Sequence, residues 1–361
     1  METGHIMQHR IPGSEDNQEE KTMETIVRTA GAVGRRALVL AVGGLLLLPV
    51  TAMAVNAAPA ATWTHESDLQ IAYDVAVADA THAWTGDAFG LIQRTTDGGL
   101  TWTSQQVGAT TSHFWGIDFA DSLTGWAVGD AEQSFSHGMI YGTKDGGATW
   151  TLQWEGGPDL DQLYDVAALT PKIAVAVGNA NTLLRTTDGG LTWTVPAHQA
   201  GSVFSGVEFN GKVGYAVGNS SVVIRSRDGG KTWTNVSPRL PFGASLMDAG
   251  FLPGGMIGWV VGFDGEVLKT TDGGRHWTEQ GFGIDSGLNV LGVDAIDANT
   301  VWISGYNNGN NYVARSTDGG ATWVEEPIAQ QFGASSISDV EFITADEGWA
   351  VGYEGIYHRT A

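Results

Sequence analysis

The pattern DGG-x-[TH]-W occurs six times, at Asp97–Trp102, Asp145–Trp150, Asp188–Trp193, Asp228–Trp233, Asp272–Trp277 and Asp318–Trp323. Successive copies are 48, 43, 40, 44 and 46 residues apart. A period near 40–50 residues marks one supersecondary unit copied many times, as in solenoids and propellers. A side chain that recurs in every copy is expected to hold its copy together. Residues that break the pattern are better candidates for chemistry.

Each copy reads as four short strands. The first is apolar with one or two acids, as in Tyr73-Asp74-Val75 and Ser338-Asp339-Val340-Glu341-Phe342. The second ends in glycine, as in Trp126-Ala127-Val128-Gly129. A tight turn leads to a third such as Leu183–Thr186, and the DGG turn leads to a fourth such as Thr192-Trp193-Thr194. Short period-2 strands with frequent turn signals describe antiparallel sheet, and four strands per unit describe a propeller blade. After the sixth copy, the chain gives three strands and ends at Arg359-Thr360-Ala361 without a DGG turn. Thr62-Trp63-Thr64 matches the missing fourth strand. The expectation is an all-β, single seven-bladed propeller over residues 62–361, its last blade closed by the N-terminal strand. Trp63, Trp102, Trp150, Trp193, Trp233, Trp277 and Trp323 then supply one ring per blade, expected to wedge between sheets.

Composition agrees. Glycine is 51 of 361 residues and charged residues are 16%, as many tight turns require. The absence of cysteine excludes disulfides and thiolate metal sites. From residue 62 onward there are 13 basic and 34 acidic side chains. That balance repels phosphate backbones and argues against nucleic acid. Residues 1–34 read as a polar leader and 56–61 as a linker. Between them, Arg35-Arg36 precede an apolar run from Ala37 to Val55 that ends near Ala52-Met53-Ala54. The segment 35–55 reads as an export signal cut at or after Ala54, or uncleaved as a membrane anchor. The mature protein is expected to be an exported monomer that meets a membrane only through this segment.

The DGG turn resembles the Asp box of sialidases, sortilin-like receptors and several glycosidases. The fuller unit resembles that of the photosystem II stability/assembly factor-like family of exported BNR-repeat propellers. Leu163–Val166, Val177-Gly178 and Arg185–Trp193 carry it in one blade. The resemblance implies a non-catalytic platform for protein partners, membrane-protein complexes among them, with no cofactor. The alternative it leaves open is a carbohydrate-active propeller, either a lectin or a glycosidase. It also implies that Asp97, Asp145, Asp188, Asp228, Asp272 and Asp318 are structural and lie on the outer rim. Their carboxylates would accept amide and hydroxyl bonds while the two glycines take positive φ.

Three patterns remain. Asp74, Asp165, Asp248 and Asp339 share an earlier first-strand position. Asp118, Glu208, Asp294 and Glu341 share one two residues later, on the same strand face. Eight acids near the axis would cap amides of the neighbouring blade, or bind a cation or basic peptide at the channel mouth. A basic series, Arg94, Arg185, Arg225, Lys269, Arg315 and Arg359, precedes the DGG turns, with Gly142 in its place in the second blade. It is expected to pair with acids. Irregular positions carry binding hypotheses: Trp115, and Phe135 and His137 in a longer loop, with Trp154 and Asn307–Asn311 also outside the repeat. The sequence carries no P-loop, GxSxG or H-E-x-x-H pattern. No metal site and no catalytic residue is assigned.

Overall fold

The computed structural model describes residues 61–67, 71–131, 137–157, 162–197, 202–239, 243–280, 287–328 and 335–360. Contacts divide the chain into Met1–Asn56 and Ala57–Ala361. The leader and the signal or anchor segment lie in the first unit, outside the described residues. Phe135 is outside them as well.

Seven sheets succeed one another along the second unit. In each, the first strand packs beside the first strand of the next sheet, and the seventh packs beside the first. These are seven blades around an axis lined by first strands. Blade 1 begins with Ala72–Val77, blade 2 with His113–Phe119, blade 3 with Leu163–Thr170 and blade 4 with Phe204–Asn210. Blade 5 begins with Leu246–Phe251, blade 6 with Leu288–Ala295 and blade 7 with Ile337–Phe342. In blade 3 the fourth strand is reduced to one bridge, Arg185 to Thr194.

Thr62–Ser67 completes blade 7, as expected. It pairs antiparallel with Gly355–Thr360, with Trp63 opposite Arg359 and Thr64 opposite His358. The Trp63 ring meets Trp302 and Phe342 edge-on at 6.2 and 5.9 Å. The strand covers the Gly355–Thr360 edge and becomes the outer strand of the blade.

The DGG turns follow one pattern. Asp188 Oδ1 accepts the Thr192 amide at 2.9 Å, and Oδ2 accepts the Thr192 hydroxyl at 2.6 Å. Thr186 Oγ1 donates to the same carboxylate and accepts the Gly190 amide. Gly189 and Gly190 stand at φ 73° and 85°, a region where a side chain is strained. These bonds hold the Asp188 carboxyl down at about 2.

The DGG-turn tryptophans do pack where neighbouring sheets meet: Trp63, Trp102, Trp150, Trp193, Trp277 and Trp323 lie half-buried against the clusters between blades, and Trp233 is buried within one. The deepest rings are those that open the second strands: Trp84, Trp126, Trp259, Trp302, Trp349 and, in blade 4, Tyr215. Trp84 and Trp259 are oriented by bonds from their Nε1 to the Gly146 and Gly319 carbonyls. Trp154 also joins a core cluster between blades 2 and 3.

The basic series does not pair chiefly with acids. Arg94, Arg185, Arg225 and Lys269 donate to the carbonyls of Gly146, Gly229, Gly273 and Gly319, each in the DGG turn of the next blade. A DGG turn presents a carbonyl at a fixed place, so it can serve as acceptor without an acidic side chain. Arg315 faces blade 7, which lacks that turn, and binds Asp346 instead at 2.9 Å. Arg359 shares Asp346 at 3.1 Å but does not belong to the series as expected: His358 stands opposite Trp349, where other blades place the basic residue.

Candidate functional site

All seven first strands contain a register break one residue before the earlier acid position. The breaks fall at 72/74, 114/116, 163/165, 204/206, 246/248, 290/292 and 337/339. The skipped residues are Tyr73, Trp115, Tyr164, Ser205, Met247, Leu291 and Ser338. A bulge re-aims a side chain and is common beside functional sites. Here all seven line one cavity at an end of the channel. The bulge also explains the glycine that ends the second strands: a Cβ at Gly178 would stand 1.9 Å from the Gln162 carbonyl oxygen. Blade 1 has Asp87 at this position, fully buried, with Gln93 Nε2 donating to it at 2.8 Å. Burial pushes Asp87 up to about 7.

The seven rim residues are unlike one another. Blades 1 to 3 present Tyr73, Trp115 and Tyr164, and the other four present small or aliphatic side chains. Tyr73 and Trp115 lie 4.2 Å apart between ring centroids, with His113 against Trp115 at 5.3 Å. Trp115 Nε1 donates to Asp130 Oδ2 at 2.5 Å, and His113 Nδ1 lies 3.2 Å from the other oxygen. Asp130 is fully buried. Burial, then the charges of Tyr353, Asp130 and Asp87, push the Tyr73 hydroxyl to about 12. Phe263 reaches the same cavity from its hairpin.

Below the rim are the acids. Asp74, Asp165, Asp248 and Asp339 line both the mouth and the channel beneath it. Asp118, Glu208, Asp294 and Glu341 line only the channel. The first-strand acids therefore do gather on the axis, in two tiers. They also bridge blades. Asp74 accepts the Val75 amide and, at 2.7 Å, the Ile117 amide of blade 2. Asp118 reaches Ala168 of blade 3, Asp165 reaches Val207 of blade 4 and Asp248 reaches Val293 of blade 6. Asp294 reaches Phe342 of blade 7, and Asp339 reaches Val75 of blade 1. In blades 2, 4 and 6 the upper position is glycine. At Gly116 a Cβ would stand 2.7 Å from the Asp165 Cα, so the neighbouring acid occupies that space.

These carboxyls are only partly covered from solvent, yet protein surrounds them and the channel focuses their repulsion. Burial, against the pull of the backbone amides, raises Asp118, Asp165 and Asp294 to about 7. Asp74, Asp248, Glu208 and Glu341 are pushed well above the usual range by burial and then by neighbouring acids. Burial raises Asp339 as well, while its bond with Asp74 pulls the other way. Among the described residues, no three His, Asp or Glu side chains are disposed to hold a metal.

His137 is half-buried and its carbonyl accepts the Ala131 amide. It does not line the mouth cavity. Asn308 and Gly309 make a left-handed hairpin turn at φ 50° and 79°. The bulges and the Trp115–Asp130 bond escaped sequence reasoning.

Fold and sequence together define a seven-bladed β-propeller, part of which matches a photosystem II assembly factor family. Residues 157–250, covering blades 3 and 4 and the start of blade 5, match the model of the family described as photosynthesis system II assembly factor YCF48. A solved structure of YCF48 bound to a D1 peptide is similar at TM-score 0.67 and 21% identity, over 84% of this chain and 96% of that one. YCF48 from Cyanidioschyzon merolae gives TM-score 0.64 and 19% identity, over 82% and 98%. The GH74 enzyme of Niastella koreensis gives TM-score 0.63 and 16% identity, over 82% of this chain but 53% of the enzyme. At these identities the solved structures speak for the fold. No curated protein matches the chain.

Proposed function

We propose that this protein is an exported, non-catalytic propeller that holds a segment of a partner protein at its channel mouth during assembly of a membrane complex. One observation carries the reading: the bulged first strands turn aromatic side chains of blades 1 to 3 onto one rim, and buried Asp130 fixes Trp115 there. A rigid aromatic with its polar edge satisfied is how binding surfaces commonly anchor a partner. The partial match to the YCF48 family model supports an assembly role, and the D1 peptide bound by a similar propeller supports a peptide partner. The Arg35-Arg36 and apolar 37–55 segment supports export.

The test is affinity capture from the native exported fraction with the mature chain and with Trp115→Ala. The mature chain should retain a specific protein, and the variant, melting at the same temperature, should lose it. A mature chain that retains no protein but cleaves chromogenic glycosides, or binds a glycan array, would replace this reading with a carbohydrate-active one.

A further inference from the structure

The channel mouth combines two features that rarely meet by packing alone. Three adjacent blades contribute Tyr73, Trp115 and Tyr164, and the floor of the same cavity is Asp74, Asp165, Asp248 and Asp339. No lysine or arginine is among its lining residues. Each aspartate accepts backbone amides, but a carboxylate oxygen has two lone pairs, so capacity for a further donor remains.

A second observation points the same way. Ser304 is fully buried, and its hydroxyl has no partner among the described residues. It faces Gly292 across the strand pair, where five other blades place Val128, Val177, Val217, Val261 or Val351. A Cβ at Gly292 would stand 2.7 Å from that hydroxyl and 2.8 Å from Asp339 Oδ1. Blade 6 has therefore exchanged an apolar wall for an unsatisfied polar group beside the acid tier. Buried polar groups are ordinarily paired, and Asp339, which borders the same space as this hydroxyl, lines the mouth cavity where an arriving donor would meet it.

We propose that the mouth over blades 1 to 3 receives one arginine side chain, carried on a peptide segment of the partner, with its guanidinium between the aromatic rim and the aspartate tier. This rests on the partner-binding reading above and names the chemistry recognised. A guanidinium suits both halves of the cavity. Its planar face stacks on tryptophan and tyrosine, and its five N–H donors serve several separated acceptors. The described acids are not grouped to ligate a metal. Trp115 cannot turn away without losing its bond to Asp130, so the stacking surface is set before the guest arrives. Burial and mutual repulsion keep the tier above the usual carboxylate range, and an incoming cation favours loss of those protons.

The experiment titrates acetyl-Gly-Leu-Arg-Leu-Gly-amide, and the same peptide with citrulline for arginine, into the mature chain at about pH 8. The readout is the Trp115 indole N–H resonance, assigned with Trp115→Phe. The arginine peptide should move this resonance and bind at least about tenfold more tightly than its neutral twin. Trp115→Ala and Tyr164→Ala should each weaken it about tenfold, with unchanged melting temperature. Equal binding of the two peptides, no movement with either, or full displacement by calcium alone would each overturn the proposal. The two readings fail separately. Capture that depends on Trp115, with equal binding of the two peptides, sinks the arginine site alone, and arginine-selective binding without any captured protein sinks the assembly role alone.

Discussion

Gln153 occupies the space that Gly142 leaves open and reaches from there to the Gly189 carbonyl at 3.4 Å. A Cβ on Gly142 would stand 2.2 Å from the Gln153 amide nitrogen. Blade 2 has thus lost its basic residue and kept the tie to the next DGG turn by another side chain. Gln153 also accepts the Trp126 indole N–H at 2.9 Å.

Gln153→Ala should destabilise the propeller by about 1–3 kcal/mol, because a buried indole N–H loses its acceptor. Gly142→Arg alone should be destabilising through the clash. The pair combined should recover at least half the loss of Gln153→Ala, by placing a guanidinium where blades 1, 3 and 4 have one. Urea unfolding of the four-member cycle measures the coupling; strict additivity would show that the two side chains do not share a role.

Stability should fall between weak acid and neutrality. Asp118, Asp165 and Asp294 bind protons more tightly folded, at about 7, than their ordinary 3.8. Their contribution is complete below about pH 4 and is lost as pH climbs toward about 7. The DGG carboxyls of Asp188, Asp272 and Asp318, held at about 2, act oppositely and lose their contribution as pH drops below 3.8. Scanning calorimetry should therefore find a higher Tm near pH 5 than near pH 8. Asp118→Asn should make that decline shallower. A Tm that climbs steadily to pH 8 would contradict the assignment.

Removing Thr62–Ser67 should cost more than removing any one DGG carboxylate, since it strips a whole strand pairing from blade 7. Trp63→Ala alone should cost roughly 2–4 kcal/mol, the lower part of the range for aromatic truncation because the ring is half-buried. That corresponds to a Tm fall of about 3–6 °C for a propeller of this size. A truncated chain that melts with the parent would mean that blade 7 does not depend on this strand.

Asp188→Ala should lower Tm and leave arginine-peptide affinity unchanged, because its bonds end within its own turn. Peptide titration and thermal melting on one sample separate the two effects. Loss of peptide binding at constant Tm would relocate the site to the rim.

The repeat was legible because a DGG turn needs particular letters at particular places: two residues at positive φ, a carboxylate and a hydroxyl. The blade count followed from Trp63 and the segment ending at Thr360. The two acid tiers were legible as an i, i+2 alternation along the first strands. The partner of Arg94 was not, because the Gly146 carbonyl belongs to the backbone and has no letter of its own. Nor was the Trp115 to Asp130 bond, which depends on the bulge before Gly116 turning the indole toward the second strand of the same blade. Fourth strands are the weakest element in sequence and in space, and blade 3 shows this by keeping one bridge.

Thr64 donates its hydroxyl to the His358 carbonyl across 294 residues of chain. That contact cannot form until nearly the whole propeller has been synthesised, and the strand pairing it belongs to has the largest loop to close. Until then the nascent molecule is an open arc with adhesive flanks. Any interruption of synthesis would strand it in that form, which makes the seam of blade 7 the natural point for quality control.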